Sequence, residues 1–346
     1  MDPLSQAMIG SGLAGSAAKR DTIRTAVLCG ALGGMAPDLD IFIRSQTDPL
    51  MAIEYHRHFT HSLFFIPFGG ALVAALIWLV FYRKSNLSFW KIYLFTTLGF
   101  ATHGLLDACT SYGTRLLWPL SNVRVGWNII SIIDPLYTLP LVGFVIAACV
   151  RKSVRIMQIG LAVSLLYLGY GALKHAQVND IVHDLAESRG HGVERILLNP
   201  TIGNNRLWRT VYQYRGRYYI DAVLVPPFEP HAIHEGSSVV TIDKNVVFPS
   251  LSVDSVQRRD IKRFAYFSQD FIYMHPDNPF IIADLRYGTL PYDTQSLWGI
   301  EVNPPIANQH VKFARLRNFN DEHYDTFWDM LTGDFDYSSL SADSEN

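Results

Sequence analysis

Apolar residues come in long unbroken runs over the first half of the chain and in short alternations over the second. Four runs, at 62–82, 90–109, 135–150 and 156–173, match or approach the ~20 residues a helix needs to cross a bilayer. A weaker pair, 3–18 and 22–36, is rich in Gly and Ala and is joined by Lys19-Arg20-Asp21. Small residues such as Gly10, Gly12, Gly15, Gly30, Gly33 and Gly34 let helix backbones approach closely in lipid, so the pair reads as a tight helical hairpin within the bundle. The pattern predicts five to six membrane helices, the hairpin included.

Beyond Lys174 the period changes. Residues 176–188 are amphipathic, with Val178, Ile181, Val182 and Leu185 on one face, and read as a helix leaving the membrane. The stretches 193–198, 207–214, 217–225 and 238–241 are rich in β-branched and aromatic residues, with turn signals at Gly203-Asn204-Asn205 and Arg215-Gly216. Helices are expected at 253–268 and 321–331, and further strands at 280–287 and 297–302. The expected architecture is therefore an α-helical membrane bundle over 1–174 and an extracytoplasmic α+β domain, rich in antiparallel strands, over 175–331. A flexible acidic tail is expected over 332–346.

Composition agrees with that division. The 346-residue chain is 49% hydrophobic and 17% charged, against about 25% charged in ordinary soluble domains. Up to Lys174 there are 14 Lys/Arg and 8 Asp/Glu; the rest holds 15 and 23. Disorder and fibrous repeats are excluded, and no dense basic patch supports a nucleic-acid partner. Cys29, Cys109 and Cys149 all lie in the apolar half, so no disulfide can hold the polar half, which is long enough to build its own core. The N-terminus shows no basic start, apolar run and small-residue cleavage site in series, so insertion is expected from the helices themselves.

Basic residues set the orientation. Lys19, Arg20 and Arg24 lie at the hairpin turn, Arg83, Lys84 and Lys91 between the next two full crossings, and Arg151, Lys152 and Arg155 before the last. Five crossings after the turn place all nine on the cytoplasmic side. The opposite side then receives 37–61, 110–134 and everything after Lys174, which makes the polar domain periplasmic.

Acids and imidazoles gather on that outer side. Asp38 and Asp40 leave the hairpin, His56, His58 and His61 precede the next crossing, His103 and Asp107 end the one after it, and Asp134 opens the fourth. His103 and Asp107, four apart on a helix, project from the same face. Asp38 and Asp40 would point the same way on an extended segment. His58 reads as a solvated neighbour facing away from His56 and His61. Taken singly, His103 would serve as a hydrogen bonder between helices, and the two aspartates as a turn and a cap. Three distant segments arriving on one face favour a metal site instead.

Mixed His and carboxylate ligands suit Zn first, with Mn or Fe as alternatives, and the ligand count allows one or two ions. Arg57 and Arg115 are the nearest cations, suited to phosphate recognition; for Arg115, beside Trp118, an interfacial anchor is the competing reading. Trp118, Trp127 and Tyr112 read as an interfacial aromatic belt, and Thr60 and Ser62 as helix N-caps. In the polar domain only His231, His234 and Glu235 cluster. No His-Glu-x-x-His protease motif occurs, and gathering at one membrane face argues against a transporter.

These motifs in this order resemble the LexA-binding, inner-membrane-associated hydrolases, also called membrane-bound metal-dependent hydrolases. The resemblance runs from Asp2-Pro3-Leu4-Ser5-Gln6-Ala7 through Pro37-Asp38-Leu39-Asp40 and His56-Arg57 to His61-Ser62. It continues through His103-Gly104-Leu105-Leu106-Asp107-Ala108-Cys109-Thr110-Ser111-Tyr112-Gly113 and Leu117-Trp118-Pro119-Leu120 to Ile133-Asp134-Pro135-Leu136-Tyr137. It implies a divalent metal on Asp38, Asp40, His56, His61, His103 and Asp107, with Asp38, Asp40, His61 and Asp107 as the catalytic candidates. Many members carry a His where this chain has Gln6; here Gln6 is expected to hydrogen-bond near the site if the hairpin brings it to the outer face. The LexA-binding label predicts no regulator here, because an outward-facing domain cannot meet a cytoplasmic repressor.

The expected function is hydrolysis of a lipid or lipid-linked ester or phosphoester at the outer face by metal-activated water. The competing class is a non-catalytic envelope protein with a structural metal and a partner-binding outer domain, the protein partner being unspecified.

Overall fold

The computed structural model describes residues 1–334. Most of the expected acidic tail, from 335 on, lies outside the described residues. Two compact units emerge: Met1–His175 with Ile202–Asn204, and Ala176–Thr201 with the chain from Asn205 on.

The first unit is helical. Helix α1 (Pro3–Ser16) starts where the Asp2 side chain accepts the Ser5 N–H and Pro3 supplies a preset φ. Helix α2 (Ile23–Met35) returns beside it and runs into a 3-10 segment, Ala36–Phe42. The short α3 (Met51–Tyr55) precedes α4 (Ile66–Ile77), which continues through one π turn to Tyr82. Then come α5 (Phe89–Ala108), α6 (Pro135–Arg151) and α7 (Val154–Ser188). Among the described residues, three segments are long and apolar enough to cross a membrane by length and composition: Ile23–Phe42, Leu63–Tyr82 and Val154–Ser188; Pro135–Arg151 is a shorter apolar helix. The expected helices at 156–173 and 176–188 are one continuous α7, because Leu173-Lys174-His175-Ala176 contains no breaker.

Backbone contact at glycines locks α1, α2 and α5 together. A Cβ on Gly10 would lie 2.4 Å from the Gly30 carbonyl oxygen, and one on Gly99 only 2.1 Å from that same oxygen. One on Gly34 would lie 2.4 Å from the Gln6 carbonyl oxygen, and one on Gly33 2.2 Å from that of Thr96. Gly12 and Gly15 do not share this role: the first is 3.8 Å from a Leu141 methyl, the second meets the flexible side chain of Met157.

The second unit holds two antiparallel sheets. The first is the meander β1 (Arg195–Pro200), β2 (Leu207–Tyr214), β3 (Arg217–Leu224) and β4 (Ala232–Val240). Arg215 and Gly216, at φ 45° and 72°, make the tight turn that pairs Tyr214 with Arg217. Helix α8 (Val256–Phe267) leads to the second sheet, β5 (Ile272–Met274), β6 (Ile281–Asp284), β7 (Trp298–Glu301) and β8 (Lys312–Arg315); α9 (Asp321–Thr332) closes the described chain. Strands β5 and β8, of three and four residues, are too short to register as a period in the sequence.

Alternation divides the core of this unit. Leu197, Val211 and Ile220 pack with Phe271, Tyr273 and Leu285 between the sheets. Leu198, Trp208, Tyr212 and Val223 face Val178, Ile181, Val182 and Ala186 of α7. His234 and Glu235, adjacent on β4, take opposite sides, the first buried and the second exposed.

The glycine contacts carry a prediction. Gly99→Ala should cost about 1–3 kcal/mol, the usual penalty of overpacking a site that cannot yield. Gly143→Ala, in α6 with nothing within 4 Å of its Cβ position, should gain about 0.5–1 kcal/mol from helix propensity. Thermal melts in detergent that rank the two variants the other way would refute the packing account.

Candidate metal centre

Three separate segments build the site. Asp38 and Asp40 lie on the 3-10 segment that Pro37 opens. The segment is therefore not extended, the condition under which the two would point the same way, and at about three residues per turn the side chains diverge. His61 ends a short 3-10 turn, Phe59–His61, before the α4 span. His103 and Asp107 share a face in the last turns of α5.

Four ligand atoms converge. His61 Nε2 lies 2.9 Å from His103 Nε2, 3.3 Å from Asp107 Oδ2 and 3.5 Å from Asp38 Oδ1. His103 Nε2 lies 3.3 Å from Asp38 Oδ1 and 3.8 Å from Asp107 Oδ2. A tetrahedral shell with metal–ligand bonds of about 2.0–2.1 Å has edges of about 3.3–3.4 Å, which is the scale of these separations. His61, His103 and Asp107 are buried, and Asp38 keeps 26% of its side chain exposed.

The far side of each imidazole is fixed. His103 Nδ1 meets the Gly34 carbonyl, and His61 Nδ1 lies 3.2 Å from Asp40 Oδ2. With Nδ1 so engaged, Nε2 is the atom offered to the centre, the arrangement expected around a metal-bound histidine. Asp40 is oriented in turn: its Oδ2 accepts the Thr60 hydroxyl at 2.7 Å and the Arg57 backbone N–H at 3.1 Å, while Oδ1 pairs with His56 Nδ1 at 2.8 Å. Asp38, Asp40 and His56 form a second group with metal-ligand spacing, overlapping the first at Asp38.

Asp107 is divided in the same way. Its Oδ1 accepts the Gln6 amide at 2.8 Å and the Met1 amine. Its Oδ2 is fully buried and receives no hydrogen bond among the described residues. Arg57 Nε stands 2.9 Å from it, but out of hydrogen-bond alignment. A buried carboxylate oxygen without a donor is costly, and a cation beside it removes the cost. The donor set therefore fits a divalent metal ion.

Arg57 adopts φ 62°, the left-handed region that a bulky residue rarely occupies. That turn lets its N–H reach Asp40 while its guanidinium stacks on Tyr112, 4.7 Å from the ring centroid, and bonds Thr110 Oγ1 at 2.8 Å. Tyr112 thus belongs to the surroundings of the site and not to an aromatic belt. Arg115 is buried, its N–H bonded to the Arg57 carbonyl, so it is no exposed anchor. His58 is not a solvated neighbour: it stacks on Tyr55 and packs against Trp118, and burial with the Arg115 charge pushes its pKa down to about 4.

Asp134 stands in neither ligand group. It caps α6 through the Leu136 and Tyr137 N–H groups and accepts the Tyr167 hydroxyl at 2.8 Å. Ser62 accepts the Phe64 N–H as expected of a cap, whereas Thr60 serves Asp40. The positioning groups that motif reading passed over are Thr60, Thr110, Tyr112 and the Gly34 carbonyl. Thr110 and Tyr112 stand in the motif that runs on from Asp107, and the Gly33-Gly34 pair was marked by its smallness, but no local pattern assigned any of them this role.

The profile of the YdjM inner membrane protein family matches residues 1–178, and that stretch contains every residue of the centre. The chain belongs to this family. Among its relatives, the Bacillus subtilis (strain 168) protein YfhP, described as uncharacterized, is 25% identical over 263 residues, which cover 74% of this chain and 75% of YfhP. The inner membrane protein YbcI of Escherichia coli (strain K12) is 31% identical over 110 residues, 31% of this chain and 61% of YbcI. No solved structure matches.

The cluster has a proton-linked consequence. Burial alone would lower the His61 pKa, but the Asp107, Asp38 and Asp40 carboxylates beside its ring nitrogens outweigh it and carry the value up from 6.5 to about 10. A folded value above the unfolded one stabilises the cation-free protein fully below pH 6.5, and that contribution is lost as pH rises through about 10. A cation at the same place must displace that proton, so its affinity should rise with pH over this window. Calorimetry at pH 8 in buffers of different ionisation enthalpy should read about one proton released per Zn²⁺ bound; no release would contradict it. Asp40→Asn should keep the metal but weaken it about 10–100-fold by loosening His61, measured by competition with a chelator.

Proposed function

We propose that this inner membrane protein is a divalent-metal-dependent hydrolase whose site opens at the outer, periplasmic face and acts on a lipid or lipid-linked ester or phosphoester. The observation that carries this reading is the convergence of His61 Nε2, His103 Nε2, Asp38 Oδ1 and Asp107 Oδ2, with both Nδ1 atoms already committed. Two imidazoles and two carboxylates suit Zn first, with Mn or Fe next. Such an ion, when bound, polarises an ester or phosphoryl oxygen and lowers the pKa of water to about 7. Asp40 and Thr60 hold His61 in place for it, and Gln6 turns Asp107 so that Oδ2 faces inward. Arg57, whose charge already stands at Asp107, is the group suited to an anionic phosphoester. Asp38, the exposed member of the group, marks the side from which substrate and water arrive.

In this reading α2, α4, α5, α6 and α7 all cross the membrane, with α1 packed among them. Support comes from the far end of the bundle. Arg24 Nε donates to the Cys149 carbonyl at 3.3 Å and the Gln158 amide to the Ser16 carbonyl at 3.4 Å. The basic hairpin turn and the basic α6–α7 connection therefore sit together, at helix ends away from Gln6, His103 and Asp107, as one cytoplasmic face requires. A C-terminal alkaline phosphatase fusion should be active and a C-terminal green-fluorescent fusion dark; the reverse would invert the topology.

One observation favours a second reading, a structural metal in a non-catalytic envelope protein whose outer domain binds a partner. Four protein ligands close a tetrahedral shell, whereas catalysis needs an open position. The two readings separate experimentally. Detergent-purified protein should contain metal and hydrolyse members of a lipid ester and phosphoester panel, and His103→Ala/Asp107→Ala should lose both. Metal retained by that variant would overturn the centre itself. Metal present without turnover on any panel member would favour the structural role.

A further inference from the structure

We infer that the site takes a second divalent cation, held by Asp38, Asp40 and His56 and completed by an anion such as a phosphate group. This rests on the metal reading above and extends it. One ligand atom from each of these three residues lies within 4.8 Å of the other two, and Asp38 belongs to both groups. Its Oδ1 faces His61 and His103, which leaves its second oxygen for a neighbouring ion. A shared carboxylate is the usual device that holds two metal ions about 3.5–4 Å apart.

Asp40 is apportioned to suit. Oδ2 carries the three contacts that orient His61, from its Nδ1, the Thr60 hydroxyl and the Arg57 N–H. Oδ1 carries, among the described residues, His56 alone. That oxygen and that imidazole stand 2.8 Å apart, a hydrogen bond that an entering ion would open to the roughly 3.3–3.4 Å between adjacent ligands. The second position is the more open one: the His56 side chain is 24% exposed and that of Asp38 26% over a buried Asp40, while His61, His103 and Asp107 are all buried. Three protein ligands leave coordination free for something else.

Charge says what that is. Asp38, Asp40 and Asp107 bring three negative charges, which one divalent cation, Arg57 and the Met1 amine at Asp107 already meet. A second cation leaves at least two positive charges in excess at a half-buried site, so it binds more weakly than the first and together with an anion. A phosphate or phosphoester meets that demand, and a neutral ester does not.

The test uses the full chain in detergent, dialysed against increasing Mn²⁺ with and without inorganic phosphate, with bound metal measured by elemental analysis. Wild type should hold one tight equivalent and a second, weaker one that phosphate makes about tenfold tighter. Low-temperature spin resonance should show a coupled Mn pair. His56→Ala should keep the tight equivalent, which also shows that it folds, and lose the second along with the coupling. His103→Ala should lose the tight one. Saturation of wild type at one equivalent, or a second equivalent that survives His56→Ala, would overturn the second position and leave the proposed function standing. A second equivalent indifferent to phosphate would overturn the anion's part. No bound metal in wild type would remove both readings at once.

Discussion

Three helices meet at the carbonyl oxygen of Gly30. Gly10 of α1 and Gly99 of α5 both present bare Cα atoms to it, at separations that leave no room for a side chain on either. The junction sets the register of everything above it. Four residues along α2 from Gly30 is Gly34, whose carbonyl holds His103 Nδ1; four residues along α5 from Gly99 is His103 itself. Four residues back along α1 from Gly10 is Gln6, whose amide holds Asp107. Four residues rise about 6 Å on a helix, so the centre stands one turn above the junction on all three helices at once. In lipid no hydrophobic force presses helices together, and backbone proximity of this kind supplies dispersion contact that larger residues would prevent.

Given that register, the electrostatics follow. Asp38, Asp107 and two imidazoles are brought within a few ångströms with little water, and the arrangement demands positive charge. Without a metal ion the demand falls on His61, whose proton is retained far above the usual imidazole range, and on Arg57 at Asp107 Oδ2. Proton and cation would compete for one place, so the cluster fits a metal ion in its chemistry as well as in its spacing. The left-handed backbone at Arg57 belongs to the same account: the strain is offset because the turn gives Asp40 an N–H and sets a guanidinium charge beside Asp107 in one step.

What could be read from the sequence divides along physical lines. Helices long enough to repeat their pattern were legible, as were the β2–β3 hairpin from Arg215-Gly216 and the shared face of His103 and Asp107, because each is a local property. The small residues announced close packing, but not which would touch: Gly12 and Gly15 look like Gly10 and carry no backbone contact, while Gly99, inside an ordinary apolar run, carries the tightest. Asp38 and Asp40 were legible as ligand types and not as separate roles, since the 3-10 turn that parts them is fixed by tertiary contacts with His56 and His61. Asp134 looked like a member of the outer set and is a helix cap, because capping chemistry and metal chemistry use the same side chain.

His61 is the one ligand of the buried group that no long helix carries, and its placement shows how the loop is bound into the fold. A Cβ on Gly104 would lie 2.2 Å from the His61 carbonyl oxygen, so the residue next to His103 must be bare for the loop to seat. The Leu63 N–H bonds to the Leu116 carbonyl and the Ser62 hydroxyl to the Trp118 carbonyl, tying the loop to the segment that follows α5. The glycine that admits His61 and the histidine that faces it are therefore consecutive residues of one helix. Seating the loop and completing the ligand set become a single event, and a cation that binds four ligands from three segments stabilises the junction below by the free energy of its own binding.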